Sequence, residues 1–428
     1  MGNGFFDKRR LIGTAAMVGI VALTMATAVH ADPLTEAFTQ DTPLIDIRVR
    51  YEGVDQVGFA KEADAITERA RLGYQTGEWN GFSALFQFDQ ISALNNDLYN
   101  STRNGKTSYP IVGDPSMTAL DRLQLTYQSD FDTVFTLGRQ RLILDDQRFV
   151  GNVDWRQHEQ TFDGISFVNK SIPDLTLTYA YIDQVNRIYG PQTATVASQV
   201  GYFDGNIHLI NAAYTGINDL KLVGYTYLLD LDNNGISAAL SKSLSTATYG
   251  VRGEFKHSLG LGIGGKLTGE YAYQTNYANN PGTFGLDYYL VEGSLNYKGL
   301  GGLVGYESLG SNGTVGFSTP LATLHIFNGW ADQFLTTPAK GLDDLYFKAS
   351  YTLEEVPVFS QVAAIVMYHE YRTAMADINY GSEWDGSLEF KMDKNLSFLA
   401  TYADYLSSEV KSTPTDKRIA WFSVSYKY

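Results

Sequence analysis

Residues 248–256 read Thr248-Tyr249-Gly250-Val251-Arg252-Gly253-Glu254-Phe255-Lys256. Tyr249, Val251, Gly253 and Phe255 share one parity, and Thr248, Gly250, Arg252, Glu254 and Lys256 share the other. Side chains alternate across a strand with period two, so one face of this segment is apolar and the other carries charges of both signs. Leu267, Gly269, Tyr271 and Tyr273 oppose Lys266, Thr268, Glu270 and Ala272 in the same way. So do Trp384, Gly386, Leu388, Phe390 and Met392 against Glu383, Asp385, Ser387, Glu389 and Lys391. A soluble sandwich also alternates, and strand length separates the two cases. About ten residues at ~3.3 Å each, tilted by about 40°, cover roughly 25 Å, the height of the lipid-facing band of a membrane barrel.

Eighteen segments of this kind run along the chain, from 43–52 to 417–428. The connections between them alternate. Even-numbered segments lead into short turns such as Gly77-Glu78-Trp79-Asn80, Ser129-Asp130-Phe131, Gly216-Ile217-Asn218-Asp219, Lys298-Gly299 and Glu354-Glu355-Val356-Pro357. Odd-numbered segments lead into longer polar loops at 93–117, 145–159, 185–204, 231–245, 310–341 and 407–416. A barrel with tight periplasmic turns and large external loops demands this alternation, and a sandwich does not. The last strand sets Phe422, Val424, Tyr426 and Tyr428 against Trp421, Ser423, Ser425 and Lys427, and ends on an aromatic residue as bacterial outer-membrane barrels do. The fold class is therefore all-β: a transmembrane antiparallel β-barrel of about 18 strands, with short periplasmic turns and long extracellular loops.

The N-terminus agrees. Lys8, Arg9 and Arg10 precede an apolar run from Leu11 to Val29, and Val29-His30-Ala31 offers a cleavage site before Asp32. This is the pattern of a secretory signal peptide, so residues 1–31 are expected to be removed and 32–428 to form the barrel. Removal of three basic residues and one acidic one takes the net charge from −15 to about −17. So acidic a chain gives no support to nucleic-acid binding. Absent cysteine (0) suits an exported protein. Beyond Val29 the longest apolar run is Val362–Tyr368, far short of the roughly 20 residues a membrane helix needs.

Arginines concentrate in the first five strands. Arg48 and Arg50 oppose Ile45, Ile47, Val49 and Tyr51 in parity; Arg69 and Arg71 oppose Ala70, Leu72 and Tyr74; Arg122 opposes Leu123, Leu125 and Tyr127. An arginine facing lipid near the midplane costs ~2–4 kcal/mol, so these side chains are expected to point into the lumen as a basic ladder that attracts anions. Arg139 and Arg141 extend the ladder only with a bulge near Gly138, because they share parity with Phe135 and Leu137. Arg252 is the matching cation in the second half of the chain. Asp46, Glu68 and Asp89 lie near the ladder, and the alternative is a set of ion pairs that brace the wall without selecting solutes.

Three segments carry a family resemblance: Arg69-Ala70-Arg71-Leu72-Gly73-Tyr74, Leu137-Gly138-Arg139-Gln140-Arg141, and the stretch Thr319–Leu335. They resemble the alginate-export porin family. The resemblance implies an eighteen-stranded barrel with an arginine-lined constriction that passes an anionic polysaccharide, and it extends over most of the chain after residue 31. The chain looks shorter than the dedicated exporters, and its second half adds few lumenal arginines beyond Arg252.

Loop 310–341 is too long for a plain hairpin, and such loops are usually functional or disordered. Leu324, Phe327, Ala331 and Phe334 recur at helical spacing, which predicts a short amphipathic helix. With His325 and Trp330 this helix either enters the lumen as a constriction or caps the barrel from outside. His158, His208, His257, His325 and His369 are scattered, and no nucleophile elbow, HExxH or phosphate loop occurs, so no enzyme is expected. No cofactor or metal is expected either. The sequence points to an outer-membrane channel of a Gram-negative bacterium for passive diffusion of small hydrophilic, anionic solutes. Its partners would be outer-membrane lipids and the barrel-assembly machinery. An export channel for an anionic polysaccharide such as alginate, or a surface adhesin or receptor barrel, are the alternatives.

Overall fold

The computed structural model describes residues 42–191, 199–233, 237–408 and 414–428. The expected signal peptide, 1–31, lies outside the described residues. The alternating segments form β1 (Thr42–Gln56), β2 (Ala63–Gln75), β3 (Phe82–Ala93), β4 (Met117–Ser129), β5 (Thr133–Gln140) and β6 (Thr161–Asn169). They continue as β7 (Leu175–Asn186), β8 (Tyr202–Ile217), β9 (Leu220–Asn233), β10 (Thr246–Gly260), β11 (Ile263–Asn276) and β12 (Gly285–Tyr297). The last are β13 (Leu300–Leu309), β14 (Leu342–Val356), β15 (Phe359–Arg372), β16 (Asn379–Lys391), β17 (Leu396–Ser407) and β18 (Lys417–Lys427). Each pairs antiparallel with its neighbour, and β1 pairs with β18, closing one 18-stranded sheet. Closure leaves no unpaired edge, which every membrane-spanning sheet must achieve because lipid offers the backbone no hydrogen-bond partner.

Parity decides which face each residue takes. On β10 the predicted apolar face is exposed, with Tyr249, Val251 and Phe255 at 42–53%, while Arg252 is buried. Leu72, Phe88, Leu123, Leu125, Leu137, Val291, Leu295, Val304 and Phe347 continue an exposed apolar band around the outside. A band of this kind is unfavourable in water at roughly 25 cal/mol per Å², and lipid removes that cost. The short turns fall at one end of the barrel and the long loops at the other, as the spacing predicted. The 231–245 loop carries one short helix, Ala238–Ser243.

Three local expectations are corrected. The pairings of β4 with β5 and β5 with β6 run through Gly138 without a shift, although Gly138 itself has φ +110°. The bulge falls instead on β4, where Gln87 pairs with Arg122 and Phe88 pairs with Leu120, leaving Asp121 as the extra residue. A bulge turns two consecutive side chains to one face, so Asp121 joins Arg122 on the inside despite sharing parity with the outward Leu123. The predicted amphipathic helix in 310–341 is absent. One 3-10 turn, Leu324–Ile326, takes its place, and positive φ at Asn328, Gly329 and Asp332 breaks the helical path.

The third correction concerns 145–159, taken from the sequence as an ordinary external loop. It bends into the barrel together with 310–341, and Val150 forms a parallel bridge with Leu321. Phe317, Leu321, Ala331 and Phe334 are buried against wall residues such as Tyr288, Tyr371 and Tyr405. Phe149 packs, tilted or edge-on, among Tyr225, Tyr227, Tyr288 and Phe317 at centroid distances of 5.1–6.1 Å. The long-loop end of the barrel therefore holds a packed apolar core made by wall and loops together.

Candidate functional site: the lumenal charge network

The register sets Arg48 opposite Arg69 and Asp46 opposite Arg71 across β1 and β2. All four arginines of these strands, Arg48, Arg50, Arg69 and Arg71, point inward and are at most 9% exposed. Like charges at facing positions repel, so the arrangement needs anions to hold it. The inward loop 141–160 supplies them. Asp154 lies 3.0 Å from Arg71, 3.3 Å from Arg69 and 3.8 Å from Arg48. Glu159 lies 3.2 Å from Arg71 and is gripped by Arg141 through two bonds of 2.7 and 2.5 Å. The wall contributes the rest: Asp46 on Arg69 at 2.6 Å, and Asp89 on Arg71 through bonds of 2.6 and 3.0 Å. Arg50 pairs with Asp114 of loop 94–116. The peptide carbonyls of Asp154 and Trp155 accept from Arg48, and that of Trp155 also from Arg50, at 2.7–2.9 Å.

Arg156 of the same loop is turned toward β1. It donates to Glu52 at 2.9 and 3.1 Å and lies 4.0 Å over the Trp155 ring. His158 faces Asp89, with Nδ1 2.8 Å from Oδ2. Burial opposes ionisation of Asp154, but Arg71, Arg69 and Arg48 outweigh it and hold its carboxyl down at about 2. Burial likewise works against charge on Glu159 and Asp114, and the guanidiniums beside them still keep both carboxyls below the usual range. The wall is thus a mesh in which Arg48, Arg50, Arg69, Arg71, Arg141 and Arg156 interleave with Asp46, Glu52, Asp89, Asp114, Asp154 and Glu159.

The start of loop 141–160 reaches the opposite wall. Asp146 accepts from Arg252 at 2.6 Å, and Arg252 also meets Glu270 at 2.5 Å and Glu254 at 3.2 Å. Arg148, 2% exposed, pairs with Glu307 at 2.7 Å and donates to Asn328 at 3.2 Å. The loop therefore crosses the lumen, from β10–β13 to β1–β4. Loop 310–341 locks beside it. Thr323 bonds Gln147 and the backbone of Val153, and the Gln160 amide donates to the Leu321 carbonyl at 2.9 Å. The backbone N–H groups of Ala331 and Trp330 donate to Glu383 and Asp385 on β16, at 2.5 and 3.3 Å.

Of the residues singled out in the sequence, Arg48, Arg50, Arg69, Arg71 and Arg141 are brought into this one mesh. Arg122 stands beside it; its Nε donates to Gln87 at 2.9 Å and, among the described residues, it makes no ion pair. Arg139 keeps the parity of Leu137 and binds Asp163 through two bonds of 2.7 Å. Arg252 lies on the far wall. Glu68 falls on the parity of Ile66 and Leu72 and stays out of the mesh, unlike Asp46 and Asp89. In the second loop His325 stacks on Trp155 at 3.5 Å and bonds Asp332 at 2.9 Å; Phe327 lies under Arg148 at 4.8 Å; Phe334 packs on Tyr371 at 4.6 Å. Leu324 and Trp330 are half-buried. Leu324 and His325 also line a cavity of about 370 Å³ with Trp155, Arg156, Arg187, Tyr189 and Lys417. Sequence reasoning missed Glu52 and Asp114 and, on the inward loop, Arg148, Asp154, Arg156, His158 and Glu159. The signal of the loop residues was the density of both charges in 145–159, the complement of the ladder on β1–β4.

Residues 45–178 match the family model described as alginate export, a narrower stretch than the resemblance implied, and one that contains every arginine and carboxylate of the mesh. No curated protein matches the sequence. Among solved structures, the barrel is similar to OccAB3 of Acinetobacter baumannii, with TM-score 0.70 and 14% identity over 91% of this chain and 99% of that one. It is similar to the outer membrane protein opdK of Pseudomonas aeruginosa, with TM-score 0.65 and 15% identity over 91% and 99%. OccAB2 of Acinetobacter baumannii gives TM-score 0.67 and 16% identity over 92% and 99%. At these identities the likeness is one of fold, and the chain has the closed eighteen-stranded antiparallel fold of these outer-membrane barrels.

Proposed function

We propose that this chain is an outer-membrane diffusion channel of a Gram-negative bacterium for small hydrophilic solutes, with a preference for anions. The observation that carries the reading is the pair of loops, 141–160 and 310–341, bonded to opposite walls and to each other across the lumen. Such a crossing narrows the passage to small solutes, while its polar groups replace part of the hydration a solute gives up on entry. The anion preference rests on fewer groups than a bare arginine ladder would supply, since most guanidiniums are neutralised by carboxylates at 2.5–3.8 Å. Arg122, which makes no ion pair among the described residues, is a cation left to act on a passing anion.

Single-channel recording in a planar bilayer under a salt gradient tests this. The expected result is a small anion-selective conductance whose reversal potential moves toward zero in Arg122→Ala. A conducting barrel with cation selectivity, or one indifferent to Arg122→Ala, refutes the role given to Arg122. A folded barrel without conductance favours a surface adhesin or receptor. Export of an anionic polysaccharide is a second reading, favoured by the alginate-export match over residues 45–178. Block by uronate oligomers that grows with their length would favour it over small-solute diffusion.

A further inference from the structure

Behind Arg71 lies a group of ligand-type side chains that the transport reading leaves unused. Asp89 of β3, Asp121 of the β4 bulge and His158 of the inward loop each present one ligand atom, and the three atoms lie within 4.8 Å of one another. All three residues are at most 2% exposed. Asp121 is the telling member. It is completely buried, and among the described residues neither of its carboxylate oxygens accepts a hydrogen bond. Among the described residues its one ion contact is Arg71 Nε at 3.4 Å, and that N–H is directed at Asp89, 2.6 Å away. A buried carboxylate without compensation is among the costliest groups a fold can hold, and Glu159, also fully buried, adds a further negative charge beside it. The site has carboxylates in excess and calls for a cation.

We propose that Asp89, Asp121 and His158 bind one divalent transition-metal ion of the zinc type. One imidazole nitrogen with two carboxylate oxygens suits Zn²⁺, which takes about four ligands of mixed N and O character at ~2.0–2.2 Å. It does not suit Ca²⁺, which asks for six to eight oxygens, or Mg²⁺, which keeps several waters. The fourth position is left for water. Arg71 grips both oxygens of Asp89, at 2.6 and 3.0 Å, and so fixes the carboxylate with Oδ2 facing His158 as well, as outer partners orient ligating carboxylates in metal sites. Ligand separations in a tetrahedral site are near 3.3 Å, so closure around the ion takes adjustments of about an ångström. Because His158 belongs to loop 141–160 and both aspartates to the wall, the ion would pin that loop across the lumen, independently of which solute passes.

The test uses the full-length folded barrel in detergent, stripped with a chelator and then dialysed against ZnCl₂ at 1–100 µM. Metal content by mass spectrometry and calorimetric titration should give one Zn²⁺ per chain, with affinity lowered at least tenfold in Asp121→Asn and in His158→Ala. His257→Ala, which removes an exposed histidine paired with Asp219 at the short-turn end, should leave the tight site unchanged. Heat-modifiable migration on gels establishes that each variant is folded. Should a variant fail to fold, zinc X-ray absorption on the wild-type protein is expected to report one imidazole and oxygen ligands. Zinc that binds equally to the folded variants, a spectrum with no imidazole, or no stoichiometric zinc at 100 µM would overturn the proposal.

Discussion

Asp154→Asn is the most informative single perturbation of the mesh. The wild-type carboxyl neutralises Arg71, Arg69 and Arg48 from within the inward loop, and these three hold it at about 2 against an ordinary value of 3.8. That difference corresponds to about 2 kcal/mol in favour of the docked loop, since each pKa unit is ~1.4 kcal/mol. The side chain is 31% exposed, so solvent screening reduces the figure to about 1–2 kcal/mol. In Asp154→Asn the docked-to-undocked ratio should fall by ~5–30-fold, and the uncovered arginines should raise anion selectivity. A folded-state pKa below the ordinary one means that the stabilisation is complete above about pH 4 and lost as pH falls through about 2. Wild-type channel noise should therefore stay level from pH 7 to 5 and rise below about pH 4. Glu159, Asp114 and Asp332 titrate in the same direction, so the variant is compared with wild type at pH 7, where all of them are charged. The assay is single-channel recording under a salt gradient. An Asp154→Asn channel with unchanged noise and reversal potential would refute the idea that this carboxylate holds the loop and masks the ladder.

Three further outcomes are expected. Arg148→Met leaves Glu307 buried without its cation, which costs about 3–5 kcal/mol, so limited proteolysis should cut loop 310–341 in that variant and not in the Arg148→Met/Glu307→Gln pair; equal resistance of all three proteins would contradict it. Gly329→Ala puts a Cβ on Tyr371 and Glu383 at φ +83°, adding about 1–2 kcal/mol of backbone strain to the clash, and should release the Ala331–Glu383 bond, measured as faster amide exchange around residue 331; unchanged exchange rates would count against that docking. Val150→Cys with Leu321→Cys should form a disulfide on oxidation, since the two residues are bridge partners, and should reduce current fluctuations; failure to cross-link in the folded barrel would place the two loops apart.

The barrel was legible because period-two alternation and turn spacing are local properties of the chain. Tyr249, Val251 and Phe255 could face only lipid and Arg252 only the interior, and the strand pairing follows once short turns join consecutive strands. The inward direction of Arg48, Arg50, Arg69 and Arg71 follows from the same parity, because a guanidinium on the lipid side is too costly. What those arginines face was not legible. Asp154, Arg156 and Glu159 lie on a loop some 85–110 positions away along the chain from β1 and β2, and no periodicity says whether a loop turns in or out. Nor could parity place Asp121, since the bulge switches the inward parity within β4, from Met117, Ala119 and Asp121 to Arg122, and leaves no mark in the alternation. The helix expected from Leu324, Phe327, Ala331 and Phe334 shows the converse. Its spacing is helical, but Ala331 and Phe334 are buried in the core with Tyr371 and Tyr405 while Leu324 and Phe327 stay half-buried, and tertiary packing and three positive-φ residues override the local pattern. The sequence by itself determined the strands, their faces and the sign of the wall, because each depends on neighbours in the chain. Tertiary structure alone decided that two loops cross the lumen and neutralise that wall, because only closure of the barrel brings their charges within ion-pairing distance.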